Sequence, residues 1–296
     1  MESSRDTGFR PEPDGFGVPN AGLTRLGLET SWTSFEKAFD DLTGMRGLIA
    51  RRLIYPLVYA GRFDGRTGHC HGMASVSLLA FLDRLGTDWR AWEPGVSTLY
   101  DISSLENAMS RFGDRERGID VYQAAQLSMA QVGRFLQASR RPPNVRDAFQ
   151  EIENAFSHRQ PIVLSLVRKI EGDWKDYLGS PMHSLLAYRY EAIGGGEVKV
   201  WVYEPNRPGL ERDVVLDLQA NRFSYQDKPG EKVYSGENGY RMTTTTASVL
   251  THPNVRRLVT IRRGIKVVSA HADLTVGRFS GRIVKKLGSL MANRAS

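Results

Sequence analysis

The chain has 296 residues, 41% of them hydrophobic and 25% charged, a composition that excludes a collagenous, coiled-coil or wholly disordered protein and allows a sizeable buried core. Its single cysteine, Cys70, excludes an intramolecular disulfide, so the fold must hold by packing. The net charge of +7 is unevenly placed: ten Lys/Arg and one acid lie between Asn254 and Ser296, which leaves the rest of the chain slightly acidic.

A basic C-terminus of this kind suits an anionic partner or a solvated surface. Nucleic acid is disfavoured, because Phe279 is the one aromatic residue after position 250 and single strands are held by aromatics interleaved with the arginines. The opening stretch, MESSRDTGFRPEPDGFGVPNAG, has no apolar segment of the kind that directs Sec export. Apolar runs such as LIYPLVYA fall far short of the ~20 residues that span a bilayer. A cytoplasmic protein without a transmembrane segment is the expectation, with non-Sec export left open.

In chain order, residues 1–28 are rich in Gly, Pro and charge without periodicity and read as a flexible arm. Residues 29–250 read as the folded domain. From Ser34 the apolar positions Phe35, Phe39, Leu42, Met45, Ile49 and Leu53 have helical spacing, which Pro56 should end. The Gly-rich turn GRFDGRTGHCHG follows, and MASVSLLAFLDRLG then predicts a helix closed by Gly86. Residues 103–158 read as mostly helical, with a Ser103/Glu106 capping box, and as one wall or a lid of a cleft.

QPIVLSLV predicts a buried strand. The runs His183 to Ile193 and Glu197 to Glu204 flank Gly194, Gly195 and Gly196, which predicts a β-hairpin. A turn centred near Gly195 puts Leu186 opposite Glu204 and Ser184 opposite Asn206, with His183 at the open end. Residues 210–250 read as loops with short strands, among them DVVLDL and KVYSG. The segment 251–296 reads as a basic strand, VRRLVTIRRGIKVV, followed by a tail.

Chemistry gathers at three places. Cys70 sits where a loop enters a helix, and the free N–H groups and dipole of a helix start favour a thiolate over a thiol. A thiol nucleophile needs a base, and that base needs a third group to hold its tautomer. His183 opens one strand of the hairpin and Glu204 or Asn206 closes the other, so both remaining parts come from one unit. The neighbours His69 and His71 could tune the thiolate or touch substrate. Metal binding is not expected, since His69, Cys70 and His71 are consecutive and His158, His183, His252 and His271 supply no second ligand pair.

The motifs Cys-x-Gly-Met entering an apolar helix, MHSLLAYRYE opening a strand and VYEPNRPG closing the next resemble the bacterial branch of the papain-like cysteine peptidases, relatives of the bacteriocin-processing peptidases. The resemblance runs from about Gly68 to Gly209. It implies an α+β papain-like fold, with a helical part carrying the nucleophile packed on an antiparallel sheet carrying the histidine and its orienter. It further implies a cysteine peptidase or amidase acting on a peptide or protein substrate without a cofactor, Cys70 as nucleophile and His183 as general base. The third motif is commonly Asp-Pro in this branch. Here Glu204 takes the aspartate's place, and papain's asparagine keeps Asn206 as the alternative. Papain-like enzymes carry a glutamine six residues before the cysteine as an oxyanion donor. This chain has Asp64 there, so the Cys70 backbone N–H needs a different companion. Two other readings remain open: an acyltransferase or cyclase on the same fold, and an inactive papain-like module that binds through its basic tail.

Overall fold

The computed structural model describes residues 3–20, 38–39, 68–84, 95–102, 118–140, 144–169 and 182–251. Among them the strands are β1 (Ser4–Asp6), β2 (Ile162–Arg168), β3 (Met182–Gly194), β4 (Glu197–Tyr203), β5 (Glu211–Asp217), β6 (Arg222–Gln226), β7 (Val233–Ser235) and β8 (Tyr240–Thr245). The helices are α1 (Pro11–Asp14), α2 (Cys70–Phe81), α3 (Ile119–Ala125), α4 (Met129–Arg140), α5 (Val145–Ser157) and α6 (Ala247–Thr251). The strands form one antiparallel sheet in the order β7, β6, β5, β4, β3, β2, β8, with β1 paired to the far half of β3. β7 returns beside β8, where Tyr234 and Tyr240 meet with ring centroids 4.9 Å apart, so the sheet nearly closes. The fold is thus α+β with an antiparallel sheet.

The β3–β4 hairpin forms because its turn is glycine. Gly195 and Gly196 lie between the paired residues Gly194 and Glu197 with φ of +62° and +85°. Positive φ at both central positions matches the twist of the strands, and only glycine takes it without steric cost. In mid-hairpin Tyr190 faces Val200, but bulges at Ala187/Arg189 and Ala192/Gly194 shift the pairing. Leu186 therefore faces Tyr203 rather than Glu204, and Glu204 lies just beyond the last paired residue of β4.

Alternation along the strands separates two cores. Val163, Leu186, Tyr188 and Tyr203 pack with Met73, Val76 and Leu79 of α2. Ile162, Leu164, Leu185, Ala187 and Val202 pack with Phe149, Ile152 and Phe156 of α5. Helix α5 presents one apolar stripe and is capped by Asn144, whose side chain accepts the Asp147 N–H. Helix α2 is instead buried along nearly its whole length, as its apolar sequence requires.

Residues 3–20 are not the free arm the composition suggests. β1 pairs with β3, and Phe9 and Phe16 are fully buried, Phe9 against Phe81, Tyr188 and Tyr203. Isolated aromatic anchors leave no periodic trace in a Gly/Pro-rich stretch. In the described part of 103–158, α3 lies on α2, and α4 and α5 lie against β8. Residues 211–251 are more regular than expected, with β6 and β8 beyond the short strands foreseen. The helix expected from Ser34, apart from the buried Ala38 and Phe39, lies outside the described residues, as do Asp64, the Ser103/Glu106 box and the basic strand and tail. Among the described residues no helix is long and apolar enough to cross a membrane.

Candidate active site

Cys70 is the first residue of α2, and two side chains from elsewhere fix the turn that leads into it. Gln123 of α3 brackets it, donating from Nε2 to the Gly68 carbonyl and accepting the Gly72 N–H at Oε1, both at 2.8 Å. The approach is possible because Gly72 has no side chain: a Cβ there would lie 2.2 Å from the Ile119 carbonyl oxygen. Asn20 accepts the His69 N–H at its side-chain oxygen and donates from Nδ2 to Asn206 Oδ1 at 3.0 Å. Its backbone N–H reaches the Pro205 carbonyl at 2.8 Å. Asn20 therefore ties the loop before Cys70 to the loop after β4. The backbone N–H of Cys70 itself has no acceptor among the described residues.

Successive residues of β3 point to opposite faces. Ser184 turns toward α2, its hydroxyl 3.3 Å from His71 Nδ1 and 3.0 Å from Ser165 Oγ. His183 accordingly turns the other way, as Leu185 does, and Glu204 shares that face with Val202. His183 Nε2 donates to Glu204 Oε2 at 2.6 Å, with the histidine 5% exposed and the glutamate fully buried. The Cys70 side chain lies close enough to His183 to act on its charge. With Nε2 committed to Glu204, Nδ1 is the nitrogen left to face the sulfur.

The carboxylate is held by more than the imidazole. The Tyr225 hydroxyl donates to Oε2, and the Asn206 backbone N–H donates to Oε1 at 2.7 Å. Burial alone would push the Glu204 carboxyl up, but the His183 charge and these hydrogen bonds outweigh it and hold the group below its ordinary value. Burial likewise works to lower His183. The Glu204 charge, the hydrogen bond to Glu204 and the neighbouring Cys70 overcome it and hold the imidazole well above its ordinary value. The result is a buried charged pair, one edge of which faces the Cys70 sulfur.

The sequence-predicted residues separate cleanly by geometry. Cys70, His183 and Glu204 come together, with His183 and Glu204 hydrogen-bonded and the Cys70 side chain close enough to act on the imidazole's charge. Asn206 contributes its backbone N–H, while its side chain is engaged by Asn20 and does not bond His183. His69 and His71 are each 1% exposed, so neither is open to a substrate. His69 packs with Nε2 3.5 Å from Asp120 Oδ1, and burial lowers its pKa to about 4. Both rings face the interior because α2 is buried around its first turns. Among the described residues no group of three His, Cys, Asp or Glu is placed to hold a metal ion.

Four contributors escaped the sequence reading: Asn20, Gln123, Tyr225 and Tyr234. The rings of Tyr225 and Tyr234 stack on His183 with centroids 6.1 and 5.6 Å away. Alternation in RFSYQ, where Phe223 and Tyr225 are buried and their neighbours exposed, was the one signal available for Tyr225. Asn20 and Gln123 carried no signal, since each acts through contacts with residues about fifty or more positions away. Comparison with family models, characterised proteins and solved structures gives no match to this chain.

Proposed function

We propose that this chain is a thiol hydrolase of papain-like design, a peptidase or amidase working through an acyl-enzyme on Cys70. The observation that carries the reading is the buried His183–Glu204 pair beside the lone thiol at the start of α2, with the carboxylate fixed by Tyr225 and the Asn206 N–H. The antiparallel sheet bearing His183 and Glu204, packed on the helix that begins at Cys70, is in keeping with that design.

In this mechanism the Cys70 proton has passed to His183 Nδ1, and the sulfur attacks a carbonyl carbon as a thiolate beside the imidazolium. The tetrahedral intermediate collapses, the C–N bond breaks, and the imidazolium returns the proton to the departing amine. Water then attacks the thioester with His183 as base, releasing the acid and restoring the thiol. Glu204 keeps the imidazole oriented and offsets its positive charge at each stage. The chemistry calls on no cofactor.

The test is the rate of Cys70 alkylation by iodoacetamide from pH 5 to 9 in the native protein and in His183→Ala. As the sole thiol, Cys70 gives a signal with one source. The native protein should react about 10²-fold faster than the variant near pH 6.5, the low end of what a positioned base contributes. Equal rates across the range would remove the Cys–His pair and the hydrolase reading with it.

A further inference from the structure

A thiol on one structural unit and an imidazole on another work together only when the two units are held at a fixed separation, since a displacement of about 1 Å can cost 10²-fold in rate. Cys70 belongs to the loop that enters α2, whereas His183 and Glu204 belong to the β3–β4 hairpin and its end. Helix α2 packs on β3, but contact between apolar side chains is non-directional and leaves the ends of the two units to be fixed by other means.

Asn20, 6% exposed, spans the two units with both ends of one amide. Its Oδ1 accepts the N–H of His69, the residue before Cys70, and its Nδ2 donates to Asn206 Oδ1 at 3.0 Å. A backbone N–H can only donate, so the amide has one orientation. The Asn20 backbone N–H adds a bond to the Pro205 carbonyl at 2.8 Å. From Asn206 the connection continues inward: its N–H holds Glu204 Oε1 at 2.7 Å, and Glu204 Oε2 accepts His183 Nε2 at 2.6 Å. Gly68 makes room for the amide, because a Cβ there would lie 2.6 Å from Asn20 Nδ2. The Gln123 side chain, in contrast, bonds the Gly68 carbonyl and the Gly72 N–H, both on the Cys70 side, so it shapes the turn without fixing where the hairpin lies.

Resting on the hydrolase reading above, we propose that Asn20 is a positioning residue: its side chain sets the separation of the Cys70 sulfur and the His183 imidazole by tying the loop before the thiol to the loop that holds Glu204. The segment 3–20, anchored in the core by Phe9 and Phe16, thereby completes the site from outside both of its halves.

Alkylation of Cys70 by iodoacetamide between pH 5 and 9, in the native protein, Asn20→Ala and Phe9→Leu, reads that separation. A thiol moved away from the imidazole ionises at a higher pH, and each unit of rise removes about tenfold of the thiolate at lower pH. Asn20→Ala should therefore react about tenfold more slowly than the native protein at pH 6.5, yet within about twofold of it at pH 9, where an ordinary thiol is ionised as well. Phe9→Leu loosens the same segment at its core anchor, and it should lower the urea midpoint while leaving the pH profile unchanged. Asn206→Ala deletes the far acceptor but keeps its own N–H on Glu204, and it should shift the profile the same way, by about threefold at pH 6.5. That variant decides where Asn20→Ala does not fold. An unshifted profile in the deciding variant, or an equal shift in Phe9→Leu, overturns the assignment and leaves the Cys70–His183 pair standing. A native thiol with the ordinary profile centred near pH ~8.5 overturns the pair and the assignment together.

Discussion

Two buried histidines lie within reach of the first turn of α2, each beside a carboxylate, yet they are held in opposite states. His183 sits 2.6 Å from Glu204, and the charge of that carboxylate, itself anchored by Tyr225 and the Asn206 N–H, keeps the imidazole well above its ordinary value. His69 sits 3.5 Å from Asp120, and burial lowers it to about 4. Burial opposes charge in both cases. What differs is how close the carboxylate lies, 2.6 Å for His183 against 3.5 Å for His69, and a close, hydrogen-bonded partner is the condition under which a buried charge becomes tolerable. One histidine is thereby suited to trade protons with a thiol, and the other serves as a neutral packing element.

The largest effect should come from breaking the charged pair. Glu204→Gln keeps the shape but removes the compensating charge, and at pH 6 it should destabilise the fold by about 3–5 kcal/mol, the usual cost of orphaning a buried partner. Denaturant unfolding measures this. The same variant should also lose rapid Cys70 alkylation near neutral pH. Asp120→Asn, acting on the other histidine, should leave the alkylation rate near that of the native protein. A Glu204→Gln protein as stable and as reactive as the native one would show that the carboxylate does not hold His183 charged.

The pH dependence of stability should carry both signatures with opposite signs. His183 has a folded pKa above its unfolded value, so its contribution is fully present below about 6.5 and is lost as pH rises through the raised value. Glu204 has a folded pKa below its ordinary 4.5, so its contribution is present above that value and is lost as pH falls through the lowered one. His69 is lowered from 6.5 to about 4 and takes up its proton in the unfolded chain first, so it costs stability as pH falls between those values. That cost amounts to about 3 kcal/mol at full extent. His69→Gln should accordingly flatten the acid limb of the urea midpoint between pH 6.5 and 4, whereas an unchanged slope would mean that His69 is charged in the fold.

A smaller change tests how Glu204 is held. Tyr225→Phe deletes one donor to a buried carboxylate and should cost about 1.5–3 kcal/mol, the range for a hydrogen bond to a charged group. With the donor gone, Glu204 pairs with His183 under less restraint. The imidazole should still titrate above its ordinary value by NMR, because the charge that raises it remains. An imidazole that fell to its ordinary value would make Tyr225, rather than the charge of Glu204, the decisive element.

The elements that the sequence makes legible are those with short-range causes. A run of apolar residues after Cys70 predicts α2, a short continuous apolar run predicts β2, and three glycines predict the β3–β4 turn, each because the pattern lies within a few residues. The same locality brings His183 and Glu204 to one end of a hairpin. The pairing shift at Ala187/Arg189 lay beyond it, since a bulge depends on both strands and on what packs over them. So did the burial of residues 3–20, where Phe9 and Phe16 find their partners in α2, β3 and β4.

The amino-acid sequence by itself determined which chemical groups this protein possesses and the local units that carry them: a lone thiol at a helix start, and a histidine and an acid on one hairpin. Only the tertiary structure decided between Glu204 and Asn206 as the partner of His183. It also decided that His69 and His71 face inward, and it brought Asn20, Gln123, Tyr225 and Tyr234 around the thiol and the imidazole. The reason is physical. Helix periodicity and turn geometry are set by neighbours along the chain, whereas hydrogen bonds, burial and the charge state of a buried imidazole are set by neighbours in space.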